Sequence, residues 1–428
     1  MKTSFFFVAH HGAAKNDKKS QPSKWGLVGF FCLATAIFLA SQVDIAWSLT
    51  FPQPLARNAI SSPSCLSNNQ TLSPSVVCAA KGLDSSLASV VFLPGDPTGT
   101  AIFVKQLGGP VNGIIIGDPS CAATGQDTFG TGEVSCGVIG MDSRLWGLRF
   151  GPFALGSDGI FVDMTGATGP LVAGSPSCIP RGQSLICGVR GMDSALWVIR
   201  FNVATKSTSG LRSLGSPDGK GIIGDPSCAA TGSEDATCAV VGSNGSLWGI
   251  RFNPNNGNPS PLGFKELGKP IDPATAQFEI ITPNFVEGRT WGCSNTATEE
   301  VTCLLRTKRN QLFGIRFDPG TNNTTSGFVQ LPALFDGQPL GLLTGKPSCI
   351  RVRPGDFVNC FFKAMKNNVF GVIFDPRQQI PINPILKLNA DLGPIISDPS
   401  CATTLDQRLG ICAVIDGGND MWAIPAVE

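Results

Sequence analysis

Fourteen cysteines fall into seven pairs, and nearly every pair opens on the same short phrase. The pairs are Cys65/Cys78, Cys121/Cys136, Cys178/Cys187, Cys228/Cys238, Cys293/Cys303, Cys349/Cys360 and Cys401/Cys412. Each first member follows Pro-Ser, as in Pro119-Ser120-Cys121, except Cys293, which follows Trp291-Gly292. Successive first cysteines lie 56, 57, 50, 65, 56 and 52 residues apart. Self-similarity at that period marks a propeller, a solenoid or an array.

One period reads as four short strands. In residues 224–252, PSCAAT is the first, TCAVV the second and SLWGIRF the third; GFKELG (263–268) is a weaker fourth. Turn-forming pairs, such as Asp142-Ser143, Asp193-Ser194 and Asn244-Gly245, separate the second strand from the third. The third strand alternates, Trp146, Leu148 and Phe150 on one face and Leu145, Gly147 and Arg149 on the other. With 51 Gly and 32 Pro, long helices are not expected. The expected fold is all-β: a seven-bladed β-propeller of four-stranded antiparallel blades. The chain stops on a third strand, MWAIP (421–425), while LTFPQPLA (49–56) precedes the first repeat. An N-terminal strand completing the last blade is therefore expected, leaving no open edge.

Between paired cysteines lie 12, 14, 8, 9, 9, 10 and 10 residues. If the first two strands form a hairpin, such pairs sit opposite one another, within reach of a disulfide. A metal or redox reading fares worse: there is no CxxC spacing, and His10 and His11 are the only histidines. One structural disulfide per blade is expected, in an oxidising compartment.

The N-terminal tail agrees with that compartment. Five lysines precede an uncharged run, Trp25–Val43, in the pattern of an export signal. The run is also long enough to remain as an anchor. Residues 1–48 are thus read as an export signal or an N-terminal membrane anchor, and 49–428 as the propeller, secreted or held outside the cytoplasm. Removing the tail's five bases and two acids from totals of 32 and 31 leaves 27 against 29. That balance offers no basic face for nucleic acid.

Much chemistry is closed to this chain. It has no Tyr, and no His beyond the tail, so histidine-based nucleophilic catalysis and tyrosine-based sialidase chemistry have no residues to run on. The glutamates lie outside the repeats and form no constellation, which leaves no catalytic residues, metal ligands or cofactor to name. The recurring polar positions are Asp118, Asp225 and Asp398 before the first cysteine, and Asp84, Asp142, Asp193 and Asn244 in the following turn. Both sets are expected on one rim of the ring, as turn caps or as a ring of ligand pockets. Trp146, Trp197, Trp248 and Trp422 share one position, held elsewhere by Phe313, Phe370 and Ala88. They read as inter-blade packing or as platforms for sugar faces. Nine bases between Arg306 and Lys366 face only three aspartates, which suits a solvated face or a docking patch.

The order Asp225-Pro226-Ser227, Gly242-Ser243-Asn244-Gly245, Leu247-Trp248 resembles the repeat of seven-bladed propeller lectins of the bacterial PLL type. The likeness covers roughly residues 49–428. It implies sugar sites repeated around the ring. The paired cysteines and the Gly-Ile-Arg-Phe continuation of the third strand depart from that pattern. The expected function is an extracytoplasmic, lectin-like carbohydrate-binding module. A cell-surface protein-interaction scaffold is the alternative, and a glycan hydrolase the least supported reading. Glycans or a surface protein are the expected partners.

Overall fold

The computed structural model describes residues 59–426 apart from short internal stretches, chiefly 69–74, 93–100, 126–131, 154–158, 282–290, 296–299, 319–325, 353–356, 378–384, 389–393 and 404–409. The apolar run 25–43 and the expected closing strand 49–56 lie outside the described residues. Seven antiparallel sheets follow one another along the chain, six of four or five strands and a last one of three, with two-stranded hairpins at 271–278 and 334–339 on either side of the fifth. They form a seven-bladed propeller. In blades three and four the fourth strand is in two pieces, Ser207–Thr208 with Arg212–Gly215 and Asn258–Pro259 with Lys265–Gly268, each pairing the third strand. Apart from a 3-10 turn at Pro217–Gly219, the named elements of the described residues are strands.

The first strands form the inner wall. Ser64–Asn68 packs on both Ile115–Gly125 of blade two and Ser400–Thr403 of blade seven, so the ring closes on itself. Between blades lie the hydrophobic cores, and the cysteines belong to them. Cys121 and Cys136 pack with Val77, Ala79 and Leu87 of the blade before.

In every blade the two cysteines are directly opposed across the first hairpin. Cys65 is bonded to Cys78, Cys121 to Cys136, Cys178 to Cys187 and Cys228 to Cys238. Cys293 is bonded to Cys303, Cys349 to Cys360 and Cys401 to Cys412. The Cα atoms of each pair are 4.0–4.1 Å apart. The second members, Cys78, Cys136, Cys187, Cys238, Cys303, Cys360 and Cys412, are fully buried, because the middle strand of a blade is covered on both faces. These cysteines are core residues that hold each hairpin, with no surface to offer a ligand. Denaturing the unreduced protein should therefore expose no thiol beyond Cys32, the fifteenth cysteine, which lies in the N-terminal apolar run and is present only where that run is retained. Replacing Cys178 and Cys187 together by Ala should cost about 2–3 kcal/mol in chemical denaturation. Seven or more free thiols would refute the arrangement.

The rest of the repeated phrase is explained by what each residue does there. The pairing between first and second strands slips between Ile116 and Ser120, Ile223 and Ser227, and Thr344 and Ser348. The proline falls inside this bulge, where a missing N–H takes no bond from the ladder. The serine reaches outward to the next blade. Its Oγ accepts the N–H of the following blade's first cysteine: Ser64 from Cys121 at 2.8 Å, Ser120 from Cys178 at 2.8 Å and Ser177 from Cys228 at 2.9 Å. The series continues with Ser227 and Cys293 at 3.2 Å, Ser348 and Cys401 at 3.0 Å, and Ser400 and Cys65 at 2.9 Å. Only the junction between blades five and six lacks this donor–acceptor pair, because Gly292 stands where the serine would be.

Candidate functional site

On one rim the inner wall opens into a cavity of about 440 Å3. Asp118, Asp225 and Asp398 line it, three of the residues singled out in the sequence. So do Ser62 and Ser175, which hold the same place in blades one and three. Asp118, Ser175 and Asp225 fall in the bulge of their blades, and at each position the side chain is turned toward the blade before. The Ser62 N–H donates to Asp118 Oδ1 at 3.0 Å, the Asp118 N–H to Ser175 Oγ at 3.0 Å and the Asp398 N–H to Ser62 Oγ at 3.3 Å. Asp225 and Asp398 lie directly against Gly174 and Gly345 of the preceding blades. These groups lace the blades in the direction opposite to the serines. Their outer edges form the floor of the mouth. None of the fourteen disulfide cysteines lines it.

Three cations complete the lining: Lys81, Arg190 and Lys363, each three residues beyond its blade's second cysteine, Cys78, Cys187 or Cys360. Sequence reasoning missed them, yet the signal was present. Where the first strand carries Asp, in blades two, four and seven, this position is Ile139, Val241 or Ile415. Where the first strand carries Ser or Lys, in blades one, three and six, it is Lys81, Arg190 or Lys363. In ring order Asp118 therefore stands between Lys81 and Arg190 and Asp398 between Lys363 and Lys81, while Asp225 has Arg190 on one side and, on the other, Arg306, which is buried and does not line the mouth. Lys363 Nζ also donates to the Ile396 carbonyl of blade seven at 3.0 Å, and Arg306 to the Leu343 carbonyl of blade six. The mouth offers acceptors and donors in alternation.

The turn residues stand on this same rim, since the turn after one second strand bonds the chain entering a neighbouring first strand, as Ile115 N–H does to the Ser85 carbonyl at 2.9 Å. Their carboxylates close their own turns. Asp142 Oδ1 accepts the Arg144 N–H at 3.1 Å and the Trp146 indole at 3.2 Å. Asp193 Oδ1 accepts the Ala195 N–H at 3.0 Å and the Trp197 indole at 3.1 Å. Asn244 accepts the Ser246 N–H at 2.9 Å. At Asp84, hydrogen bonds from the Ser86 N–H and hydroxyl hold the carboxyl below its ordinary value. Blade seven uses Asp416, unforeseen because it sits at the start of its turn, and its Oδ2 accepts the Trp422 indole at 2.9 Å.

The tryptophans pack between blades. Trp146 joins the core shared with blade one, Trp248 the core shared with blade three, and Trp197 and Trp422 pack on the edges of equivalent cores. Phe313 and Phe370 fill the same place in blades five and six. Part of the basic run of those blades is taken up inside the fold. Arg306, Arg316 and Lys363 are buried, and Arg309 pairs with Asp272 and Glu279 at 3.0 Å. Arg353 and Lys366, of that run, lie outside the described residues. Among the described residues no group of three or more His, Cys, Asp or Glu could hold a metal ion.

No family model matches the sequence, and no curated protein matches it. Among solved structures, a lectin from Burkholderia pseudomallei superposes with a TM-score of 0.58 at 11% identity, over 86% of this chain and 96% of that one. AofleA from Arthrobotrys oligospora gives 0.47 at 12% identity, over 79% of this chain and 89% of its own. A fucose-specific lectin from Aleuria aurantia gives 0.46 at 10%, over 77% and 96%. At such identities the likeness is one of fold.

Proposed function

We propose that this protein is an extracytoplasmic carbohydrate-binding module that takes a saccharide at the channel mouth. The observation that carries the reading is the alternation of carboxylates and cations, with serine hydroxyls between them, around a cavity of about 440 Å3. Its size falls in the range of small-molecule sites. An anion calls for donors alone and a metal cation for acceptors alone. A neutral polyol presents both on every hydroxyl, and an interleaved ring answers it at each step. The fold is similar to that of the lectin from Burkholderia pseudomallei, which agrees with the reading. Seven disulfides support a place outside the cytoplasm.

Binding is favoured over hydrolysis by what the carboxylates already do. Asp118 accepts a backbone N–H from the blade before it. Asp398 lies against Gly345 in the same manner. Groups engaged in holding blades together are poorly placed to shuttle protons. The burial of Arg306, Arg316 and Lys363 takes three of the nine bases away from the patch on which the scaffold reading rests.

A glycan array probed with disulfide-intact protein should give specific binders. Arg190→Gln should weaken the best of them about tenfold or more, the cost of losing charge-assisted bonds at one edge of the mouth. A blank array, or an Arg190→Gln protein that binds as well as its parent, would sink the reading.

A further inference from the structure

Eleven large apolar side chains are exposed among the described residues, and nine of them stand on the mouth rim. Three occupy the tips of second-to-third turns, Leu83 at 54%, Met141 at 63% and Met192 at 57% exposure. Three more, Ile60, Ile116 and Ile396, edge the cavity itself. Leu171 stands beside Met192, whose N–H donates to its carbonyl at 3.0 Å. Ile271 and Phe278 project from a hairpin bound to the blade-five turn by Arg309 and Asp272 at 3.0 Å. The remaining two, Val104 and Ile160, lie on outer flanks of blades one and two. Scattered exposed apolar residues need no explanation, but nine gathered on one rim do.

We propose that this rim lies on a lipid bilayer, so that the saccharide taken at the mouth is one presented from a membrane. The second half rests on the saccharide reading above; the first does not. Two features favour a bilayer over a protein partner. The apolar tips are spread over blades one, two, three, five and seven, set apart by capped polar turns, as separate points around a ring. Such points suit a fluid apolar layer, which needs no matching shape, better than a packed interface, which needs a continuous buried centre. The chain also enters the fold here. Ala59, Ile60 and Ser61 line the mouth, and the apolar run Trp25–Val43 lies only 15 residues upstream of Ala59.

All seven disulfides and the contacts that close the ring lie within the compact unit Ala46–Glu428. The test floats this unit with phosphatidylcholine vesicles on a density gradient. The parent should rise with the vesicles. Leu83→Ser/Met141→Ser/Met192→Ser should lower the bound fraction about tenfold or more, at unchanged melting temperature. Val104→Ser/Ile160→Ser should float like the parent. A parent that stays at the bottom, or a triple variant that floats equally well, overturns the proposal. So does a parent dimer that the triple variant dissociates, since the rim would then face a second copy. Soluble saccharide binding should survive in the triple variant, and flotation should survive in Arg190→Gln. Failure of the membrane contact is thereby separated from failure of the saccharide site.

Discussion

Arg316→Met is expected to lower the stability of the propeller by about 3 kcal/mol, near the bottom of the range for breaking a buried ion pair. The Arg316 side chain is fully buried. Its Nε donates to Glu300 Oε2 at 2.7 Å within blade five, and its Nη1 lies 3.7 Å from Asp375 Oδ1 of blade six. This ion pair crosses the one junction where the serine–cysteine bond is absent, between Gly292 and Cys349. Methionine fills much of the space but leaves Glu300 without its guanidinium. Asp375 keeps Arg377, whose Nη2 is 2.8 Å from its Oδ2, and that holds the loss to the low end. The loss should also depend on pH. Burial pushes the Asp375 carboxyl up, but hydrogen bonds from Arg377 and the charges of Arg377 and Arg316 outweigh it and leave the group below its ordinary value of 3.8. A depressed pKa contributes stability that is present above the unfolded value and vanishes as pH falls through the folded one. The gap between parent and variant in urea denaturation should thus be full near neutrality and narrow below about pH 4. A gap under about 0.5 kcal/mol at neutral pH would show that the pair does not hold these blades.

The propeller was legible because its strongest signals are covalent and periodic. Seven cysteine pairs at steps of 50 to 65 residues fix both the blade count and the first hairpin of each blade. The alternating Leu-Trp strand fixes which residues meet between blades, and Trp146 and Trp248 do lie in those cores. The fourth strands were faint because they sit on the outer edge, paired on one side only, and beyond blade one's Ala101–Gly108 they are short; blade two's is the two residues Val162–Asp163.

Less of the site could be read. Asp118, Asp225 and Asp398 were found as repeated letters, but a repeat in one dimension does not say whether its members point outward into separate pockets or inward to one axis. That depends on the local backbone, which the sequence encodes only as Gly-Asp-Pro or, at Asp398, Ser-Asp-Pro. The cations were missed for a related reason. Lys81, Arg190 and Lys363 alternate with Ile139, Val241 and Ile415, so the position looks unpatterned until it is set beside the first-strand Asp or Ser of the same blade. The basic run from Arg306 misled because net charge along a sequence carries no sign of depth: Arg316 points into the protein and Arg309 out of it.

Gly174→Ala is expected to cost the propeller about 3 kcal/mol of stability, although it adds a single methyl group. Two costs combine there. Gly174 has φ +81°, a conformation that favours glycine, and a Cβ built on it overlaps Asp225 Oδ1 of blade four. The backbone cost alone is about 1 kcal/mol. The remainder comes from forcing a buried carboxylate off the neighbouring blade into a position that satisfies it less well. Gly215→Ala separates the two, since Gly215 has φ +79° and nothing within 4 Å of its would-be Cβ. It should lose only the smaller amount and leave the mouth untouched. If Gly174→Ala costs no more than Gly215→Ala, Asp225 does not clamp blade three and the inward lacing of the ring is wrong. If it costs the full amount, the folded fraction at low temperature becomes informative in turn. Asp225 displaced from the floor of the mouth should weaken saccharide binding well beyond any fraction lost to unfolding, because the acceptor between Arg190 and Arg306 has moved. Loss of stability with binding intact would keep the clamp and move the saccharide away from that side of the mouth.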